Sequence, residues 1–234
     1  MSTLANTRLT VLQIVNEVRQ KLSIQTASSL TQDENTLSLL AYLNDVVDMI
    51  NDFGEWKELA VECTITASTC VRSYLVSTAN PLHHIHEIAF EGYIPPLELR
   101  SVDDMLRWRR CPAYGVPRNW AIMAVDNVTT GNPYIEVYPV PSANENNSTF
   151  NMYVFQKLPY YTSADGAVVV PLPARPIVNA LHSLALLDES RDSMDFKTQE
   201  GIAKDIIGQA YNRFNGDSGS NPRFVPMYRG KRRP

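Results

Sequence analysis

The stretch that decides the fold is VECTIT, residues 61–66, in which apolar and polar residues alternate. In an extended chain Val61, Cys63 and Ile65 would share one face, and the polar residues between them would share the other. This period of two predicts a half-buried β-strand. The residues before Trp56 follow a helical period instead, so the sequence changes from helix to strand near that residue.

Two amphipathic helices are predicted before this strand. The first begins at Thr10, and its apolar residues recur at the spacing of one helical face: Val11, Ile14, Val15, Val18 and Leu22. The apolar face of the second consists of Leu37, Leu40, Ala41, Val47 and Ile50. Thr31 and Glu34 have the spacing of a capping box, which predicts that Thr31 caps the second helix.

A series of short strands is predicted after Trp56. Besides residues 61–66, the candidates are Tyr74–Val76, Ile85–Phe90, Trp120–Val125, Tyr134–Tyr138, Phe150–Phe155 and Val168–Val170. Turn-forming residues, among them Asn80-Pro81 and Asp165-Gly166, separate these candidates. Because the only helical pattern between them is a short one at Val102–Trp108, we expect antiparallel pairing in a sandwich or small barrel.

Two further helices are predicted after Pro173. Pro176 suits the first turn of one helix, where its missing amide costs nothing, and the apolar face that follows is Ile177, Ala180, Leu181, Leu184, Ala185 and Leu187. The apolar face of the next helix is Phe196, Ile202, Ile206, Ala210 and Phe214. This helix is expected to end at Asn215-Gly216, because glycine favours the conformation that terminates helices.

The expected fold class is therefore α+β, with N- and C-terminal helices forming a helical bundle, an inserted antiparallel β-sandwich or barrel, and an extended C-terminal tail. The expected limits are residues 1–56 and 173–216 for the helical domain, 57–172 for the β insertion and 217–234 for the tail.

The composition of the 234 residues excludes several classes of protein. With 44% hydrophobic and 20% charged residues, the chain resembles an ordinary globular protein. No stretch approaches the roughly 18 continuous apolar residues that a membrane span requires. No signal peptide is recognised, and three cysteines cannot all pair within one chain, so we expect synthesis and folding in a cytoplasm.

The formal charge of −4 hides an uneven distribution. The last twelve residues, Arg223–Pro234, contain five basic and no acidic residues, which leaves sixteen basic and twenty-five acidic residues in the first 222. An acidic body of charge −9 therefore precedes a basic tail. An acidic body argues against a general nucleic-acid-binding protein.

No set of residues is expected to form a catalytic, cofactor-binding or metal site. The tetrapeptide Gly216–Gly219 resembles the nucleophile segment of chymotrypsin-like proteases, but it follows a helix and has no base segment upstream. A linker is therefore preferred over a hydrolase centred on Ser218. His84 and His86 would share one face of a strand, but no third metal ligand is indicated, so a solvated or hydrogen-bonded cluster is preferred.

Two basic segments are candidate interfaces. In the run Arg107, Trp108, Arg109 and Arg110, the arginines suit the C-terminal end of a short helix that begins with Asp103 and Asp104, but the run could also contact DNA or another subunit. The tail carries apolar anchors and then cations: Arg223, Phe224, Val225, Pro226, Met227, Tyr228, Arg229, Lys231, Arg232 and Arg233. An extended segment of this kind can dock in a groove of a partner, so docking is preferred over a solvated tail.

Several short motifs occur in an order that resembles that of head-to-tail adaptor proteins of tailed bacteriophages, in particular those of the short-tailed type. The motifs are the G-x-P-x-x-aromatic segment Gly115–Trp120, the aromatic-Pro-x-Pro segment Tyr138–Pro141, the aromatic pair Tyr153 and Phe155, and the Leu-Pro step and helix at Leu172–Ala185. The resemblance covers roughly residues 31–214.

This resemblance implies a non-enzymatic virion protein at the head-to-tail interface. It implies a homo-oligomeric ring, usually of twelve subunits, beneath the portal protein, with the C-terminal tail reaching into portal clefts. Other implied partners are tail nozzle, tail tube or tail fibre proteins, and DNA that passes through without sequence-specific binding; no membrane is implied. The alternative is a nucleic-acid-binding accessory protein that uses the basic tail and Arg107–Arg110.

Overall fold

The computed structural model describes residues 7–125, 132–186 and 193–215, and both helices and strands occur among them. The helices are α1 (Val11–Lys21), α2 (Glu34–Phe53), α3 (Val102–Arg109), α4 (Ala174–Ala185) and α5 (Ser193–Asn215). The strands are β1 (Ala60–Thr66), β2 (Ser73–Leu75), β3 (Leu82–Phe90), β4 (Glu98–Leu99), β5 (Asn119–Val125), β6 (Pro133–Tyr138) and β7 (Thr149–Gln156). The predicted α+β class is confirmed.

The chain divides into two compact units. The helical unit comprises the described residues of the ranges Met1–Met49 and Asp165–Pro234, and the β unit comprises those of Ile50–Ala164. The division falls inside α2. The domain limits expected from the sequence, with a β insertion at residues 57–172, stay a prediction.

The β unit is built from two sheets. In one sheet the strand order is β1-β7-β3 and both pairs are antiparallel; in the other the order is β2-β6-β5-β4, and β4 runs parallel to β5. Side chains from both sheets share one buried core, with Trp120, Ile135, Phe150 and Val154 among its members. On β1, which is an edge strand, Cys63 and Ile65 are half-buried as predicted, but Val61 remains 38% exposed.

The predicted strand at Val168–Val170 is wrong. Val169 forms one isolated antiparallel bridge with Thr10, supported by hydrogen bonds from the Val11 amide to the Val168 carbonyl and from the Val170 amide to the Leu9 carbonyl, both 2.9 Å. The ladder stops there because the partner segment becomes helical at Val11. The apolar residues at this point therefore join the N-terminal segment of the helical unit.

Helix α1 begins with a capping box at Thr10, whereas the capping box predicted at Thr31 is wrong. The Gln13 amide donates to Thr10 Oγ1 at 3.3 Å, and the Thr10 amide donates to Gln13 Oε1 at 2.9 Å. Helix α2 begins at Glu34, and Asp33 caps it by accepting from the Thr36 amide at 2.8 Å.

The connection between α1 and α2 is organised by Arg19, whose side chain is 2% exposed. Its Nη1 and Nη2 contact Asp33 Oδ1 and Oδ2 at 2.7 and 2.8 Å, and its Nε donates to the Gln25 carbonyl at 2.6 Å. Nη1 also donates to Thr36 Oγ1 at 2.6 Å. One guanidinium thus fixes the end of α1, the connecting loop and the start of α2, which explains why Asp33 rather than Thr31 is the cap.

The predicted apolar face of α4 is confirmed up to Ala185, and that of α5 is confirmed at Ala210 but displaced by one residue at Ile202. The predicted members Leu187 and Phe196 lie outside the side chains that the structure describes. In α4, Ile177, Ala180, Leu181 and Leu184 are buried. In α5 the buried residues include Ala203, Ile207 and Ala210, whereas Ile202 is 42% exposed. One residue corresponds to about 100° around a helix, so the small Ala203 rather than Ile202 is buried.

The ion pair of Arg19 predicts a specific acid sensitivity. Hydrogen bonds from Arg19, aided by those from Thr36, hold the pKa of Asp33 well below its usual range. A carboxyl whose pKa is lowered on folding stabilises the protein fully above its unfolded pKa of about 4. This contribution decreases as the pH falls from that value towards the lowered pKa of the folded protein.

We expect Asp33→Asn to lower the urea midpoint at pH 7, because the buried guanidinium loses its anion. The variant should also lose less stability than the wild type between pH 7 and pH 3, since it has no carboxylate to protonate at that position. Urea unfolding at both pH values measures this difference. Asp205→Asn, at an exposed position of α5, is the control and should behave as the wild type. Identical pH dependence in wild type and Asp33→Asn would contradict the assignment.

Candidate partner interfaces

Helix α3 presents the predicted Arg107–Arg110 run on one face of the four-stranded sheet. Ser101 caps the helix by accepting from the Asp104 amide at 3.1 Å, and Asp103 and Asp104 occupy the first turn as predicted. Ile135 and Val137 of β6 belong to the core, whereas α3 contacts Glu136 and Tyr138, which alternate with them along the strand. Helix α3 therefore covers the side of the sheet that faces away from the core.

A buried carboxylate fixes α3 to this sheet. The side chain of Glu136 on β6 is 2% exposed. Arg109 Nε lies 3.0 Å from both carboxylate oxygens, and Arg109 Nη2 lies 2.7 Å from Oε2. These hydrogen bonds raise the pKa of Arg109, and Arg72 Nη1 adds a second cation 3.7 Å from Oε1. The indole of Trp108 stacks on Tyr138 with 4.7 Å between ring centroids.

The four residues of the run therefore have different roles. Trp108 and Arg109 hold the helix in place, whereas Arg107 and Arg110 are exposed. Leu106, which is 43% exposed, lies on the same outward face of α3. Two guanidinium groups beside an apolar side chain can bind carboxylates or phosphates, so this face can contact a protein or DNA. We name it the α3 surface, formed by Leu106, Arg107 and Arg110.

Two of the motifs that carry the family resemblance meet beside α3. Gly115 has a φ of +142°, a conformation that favours glycine, and its amide donates to the Val140 carbonyl at 2.9 Å. The Arg118 amide donates to the Tyr138 carbonyl at 3.0 Å, and β5 then pairs with β6. The G-x-P-x-x-aromatic and aromatic-Pro-x-Pro segments thus bind each other, and they position the tyrosine on which Trp108 stacks.

The histidines on β3 have separate partners. His84 Nε2 lies 3.6 Å from Glu55 Oε1, and His86 makes edge contacts with Tyr153 and Phe155. Burial, aided by the charge of Lys157, lowers the pKa of His83. In residues 7–125, 132–186 and 193–215, no three His, Cys, Asp or Glu side chains are arranged to hold a metal ion.

Two predicted segments lie outside the described residues. They are the linker candidate at Gly216–Gly219 with Ser218, and the docking tail that comprises Arg223, Phe224, Val225, Pro226, Met227, Tyr228, Arg229, Lys231, Arg232 and Arg233. The tail as a partner interface therefore stays a prediction.

Comparison with known protein families assigns the chain to one of them. A model of the family described as SU10 adaptor protein matches residues 9–224. The chain belongs to this family. The match includes residues of both units, and it ends at Phe224, the first apolar anchor of the predicted tail. No curated protein matches the chain.

Family membership confirms the head-to-tail adaptor resemblance. The adaptor is a structural component of a phage virion, and adaptors interact with other head and tail proteins. Within the described part of the adaptor, no helix has the length and apolar character needed to cross a membrane.

Glu136, the buried residue that positions the α3 surface, was not revealed by the sequence. It is the only acidic residue in the strand Tyr134-Ile135-Glu136-Val137-Tyr138, whose other members are apolar or aromatic. An isolated carboxylate in such a strand indicates burial and hence a need for a cation. The sequence does not name that cation, because Arg109 lies 27 residues earlier.

The division of roles within α3 predicts unequal effects of two similar substitutions. Arg109→Met should lower the free energy of unfolding by about 2–3 kcal/mol, because it leaves the Glu136 carboxylate buried. This is below the value for a fully buried pair, since Arg109 itself is 43% exposed. Arg107→Met, the matched control, should change it by less than about 0.5 kcal/mol. Urea unfolding measures both, and equal losses would show that Arg109 does not anchor α3.

Proposed function

We propose that the adaptor is a non-enzymatic subunit of a ring, of twelve copies, that lies beneath the portal, links the capsid to the tail and passes DNA. The observation that carries this proposal is the family match over residues 9–224. A ring requires a heterologous contact, in which one surface of a subunit binds a different surface of the next. The helical domain would form the ring against the portal, and the β domain would be available to tail nozzle, tail tube or tail fibre proteins.

Exposed apolar side chains support the proposal that the protein is a subunit of a larger assembly. Several large apolar residues of the described chain are more than a third exposed, including Leu37, Ile94, Leu106, Tyr114, Tyr160 and Ile202. Stable subunit interfaces bury such residues, because they are larger and more apolar than ordinary surfaces. The adaptor thus carries apolar contact area in both units.

The acidic body suits a conduit for DNA. Each cation that binds a phosphate adds to affinity and would retard passage. With a formal charge of −9, the first 222 residues repel phosphate overall. The same charge disfavours the alternative, a nucleic-acid-binding accessory protein that uses the tail with Arg107 and Arg110.

Electron microscopy of the adaptor mixed with the portal protein of its phage tests the ring. We expect closed rings of adaptor coaxial with the portal ring and twelve adaptor copies per portal. An adaptor that stays monomeric and never joins the portal would refute the proposal. Binding to duplex DNA that falls steeply with salt, without any ring, would favour the alternative.

The tail is proposed to dock on the portal, and a truncation separates docking from folding. Deleting residues 223–234 should weaken portal binding at least about tenfold, because the apolar anchors and cations are removed together. The truncated adaptor should keep its circular dichroism and urea midpoint, since the deleted residues follow the last helix predicted from the sequence.

Two substitution variants show which part of the tail is responsible. Phe224→Ser with Tyr228→Ser removes anchors and keeps charge, whereas Arg232→Gln with Arg233→Gln removes charge and keeps anchors. Surface plasmon resonance on immobilised portal measures all three variants. Portal affinity equal to that of the wild type after the truncation would refute tail docking while leaving the ring in place.

A further inference from the structure

A cationic groove lies between α4 and α5 in the helical unit. Its volume is about 320 Å³, and it is lined by Arg175 and Asn179 from α4 and by Ile206, Arg213 and Phe214 from α5, among others. Arginine and aromatic side chains are the types that contribute most to protein interfaces. We name this feature the α4/α5 groove.

Positive charge is concentrated at the α4/α5 groove. Lys21 of α1 donates from Nζ to Asn179 Oδ1 at 2.7 Å, which places a third cation beside Arg175 and Arg213. Burial lowers the pKa of Lys21, the charge of Glu17 opposes this, and the charge of Arg175 adds to the lowering. Among the residues that the structure describes, neither Arg175 nor Arg213 forms an ion pair. The groove therefore suits an acidic occupant and disfavours the basic tail.

The helical unit also carries the opposite charge. Asp45 and Asp48 of α2 are exposed and, with Glu200 of α5, form the acidic patch. Asp45 and Asp48 are three residues apart, so they lie on the same side of α2. Partial burial, and then the charges of Asp48 and Glu200, raise the pKa of Asp45. Lys204 Nζ forms an ion pair with Glu200 Oε1 at 2.6 Å. No basic residue contributes to the shift in the pKa of Asp45.

Glu200 of the acidic patch lies nearer the N-terminus of α5 than the α4/α5 groove does. Thirteen residues, about 20 Å along the axis, separate Glu200 from Arg213. The helical unit thus carries two surfaces of opposite charge, and Glu200 of one is too far from Arg213 of the other to pair with it within one copy.

We propose that the α4/α5 groove of one adaptor receives the acidic patch of a second copy, and that this contact repeats around the ring. The inference deepens the proposed function and rests on its ring. Two distinct, complementary surfaces on one unit generate a heterologous contact, whereas a two-fold dimer would place like surface on like. Opposite charges also select the register between neighbours, because a mismatched contact would bring like charges together.

A charge-swap experiment tests this contact directly. The groove variant carries Arg175→Glu and Arg213→Glu, and the patch variant carries Asp45→Lys and Asp48→Lys. In either variant alone, like charges would face each other, so assembly should require at least about tenfold more protein than for the wild type. In an equal mixture each groove meets a patch of opposite charge, so the mixture should assemble into rings with alternating subunits. Native mass spectrometry, with and without portal rings, measures the species and their composition.

Matched controls separate charge from damage to the fold. Arg175→Lys with Arg213→Lys keeps the groove charge and should assemble nearly as the wild type does. Asp45→Asn with Asp48→Asn removes charge without reversing it and should weaken assembly less than the lysine pair does. Circular dichroism and urea unfolding confirm the folded state of each variant, and rescue in the mixture excludes misfolding as the cause of lost assembly.

Three results would overturn the inference. Wild-type assembly of both swapped variants would remove the contact and leave the proposed ring intact. Loss of assembly in the groove variant without rescue by the patch variant would show that the groove binds a different partner, such as the portal or DNA. A wild-type adaptor that never assembles, with or without portal rings, would refute the ring and this contact together.

Discussion

A carboxylate that is buried on a sheet requires a cation, and in the β unit this requirement determines the arrangement around α3. Glu136 obtains its cation from Arg109, so the helix must lie across β6 with Trp108 over Tyr138. Once Arg109 is used in this way, Leu106, Arg107 and Arg110 must face outward. The same interaction thus fixes the helix and creates the surface that is available to a partner.

In the helical unit a buried cation requires an anion. Arg19 is a buried cation, and Asp33 supplies the anion while it caps α2. Both arrangements depend on a buried charged residue, whose burial is unfavourable without its partner. They favour one arrangement of each helix over alternatives that hydrophobic contact alone would permit, because any displacement would leave a charge unpaired.

Periodicity predicted most of the elements, because it reports which side of a helix or strand is apolar. It placed the strands at Ile85–Phe90 and Phe150–Phe155 and the face of α4 correctly. It failed at Val168–Val170, where apolar residues meet a partner too short to form a ladder, and at Ile202, where a small alanine is buried instead. Arg19, Glu136 and the α4/α5 groove were not predicted, because their partners are distant in sequence or come from different helices. The docking tail stays a prediction from composition alone, because its residues lie outside those that the structure describes.

The distribution of charge connects the two proposals. The body has a surplus of carboxylates, yet its exposed cations include two groups, one on the α3 surface and one in the α4/α5 groove. A conduit for DNA cannot leave such cations facing its lumen, because each would bind passing phosphates. Using the groove cations in contacts between subunits removes them from the lumen and neutralises part of the repulsion between acidic bodies. The proposed ring contact and the proposed passage of DNA would then both rest on the same separation of charge.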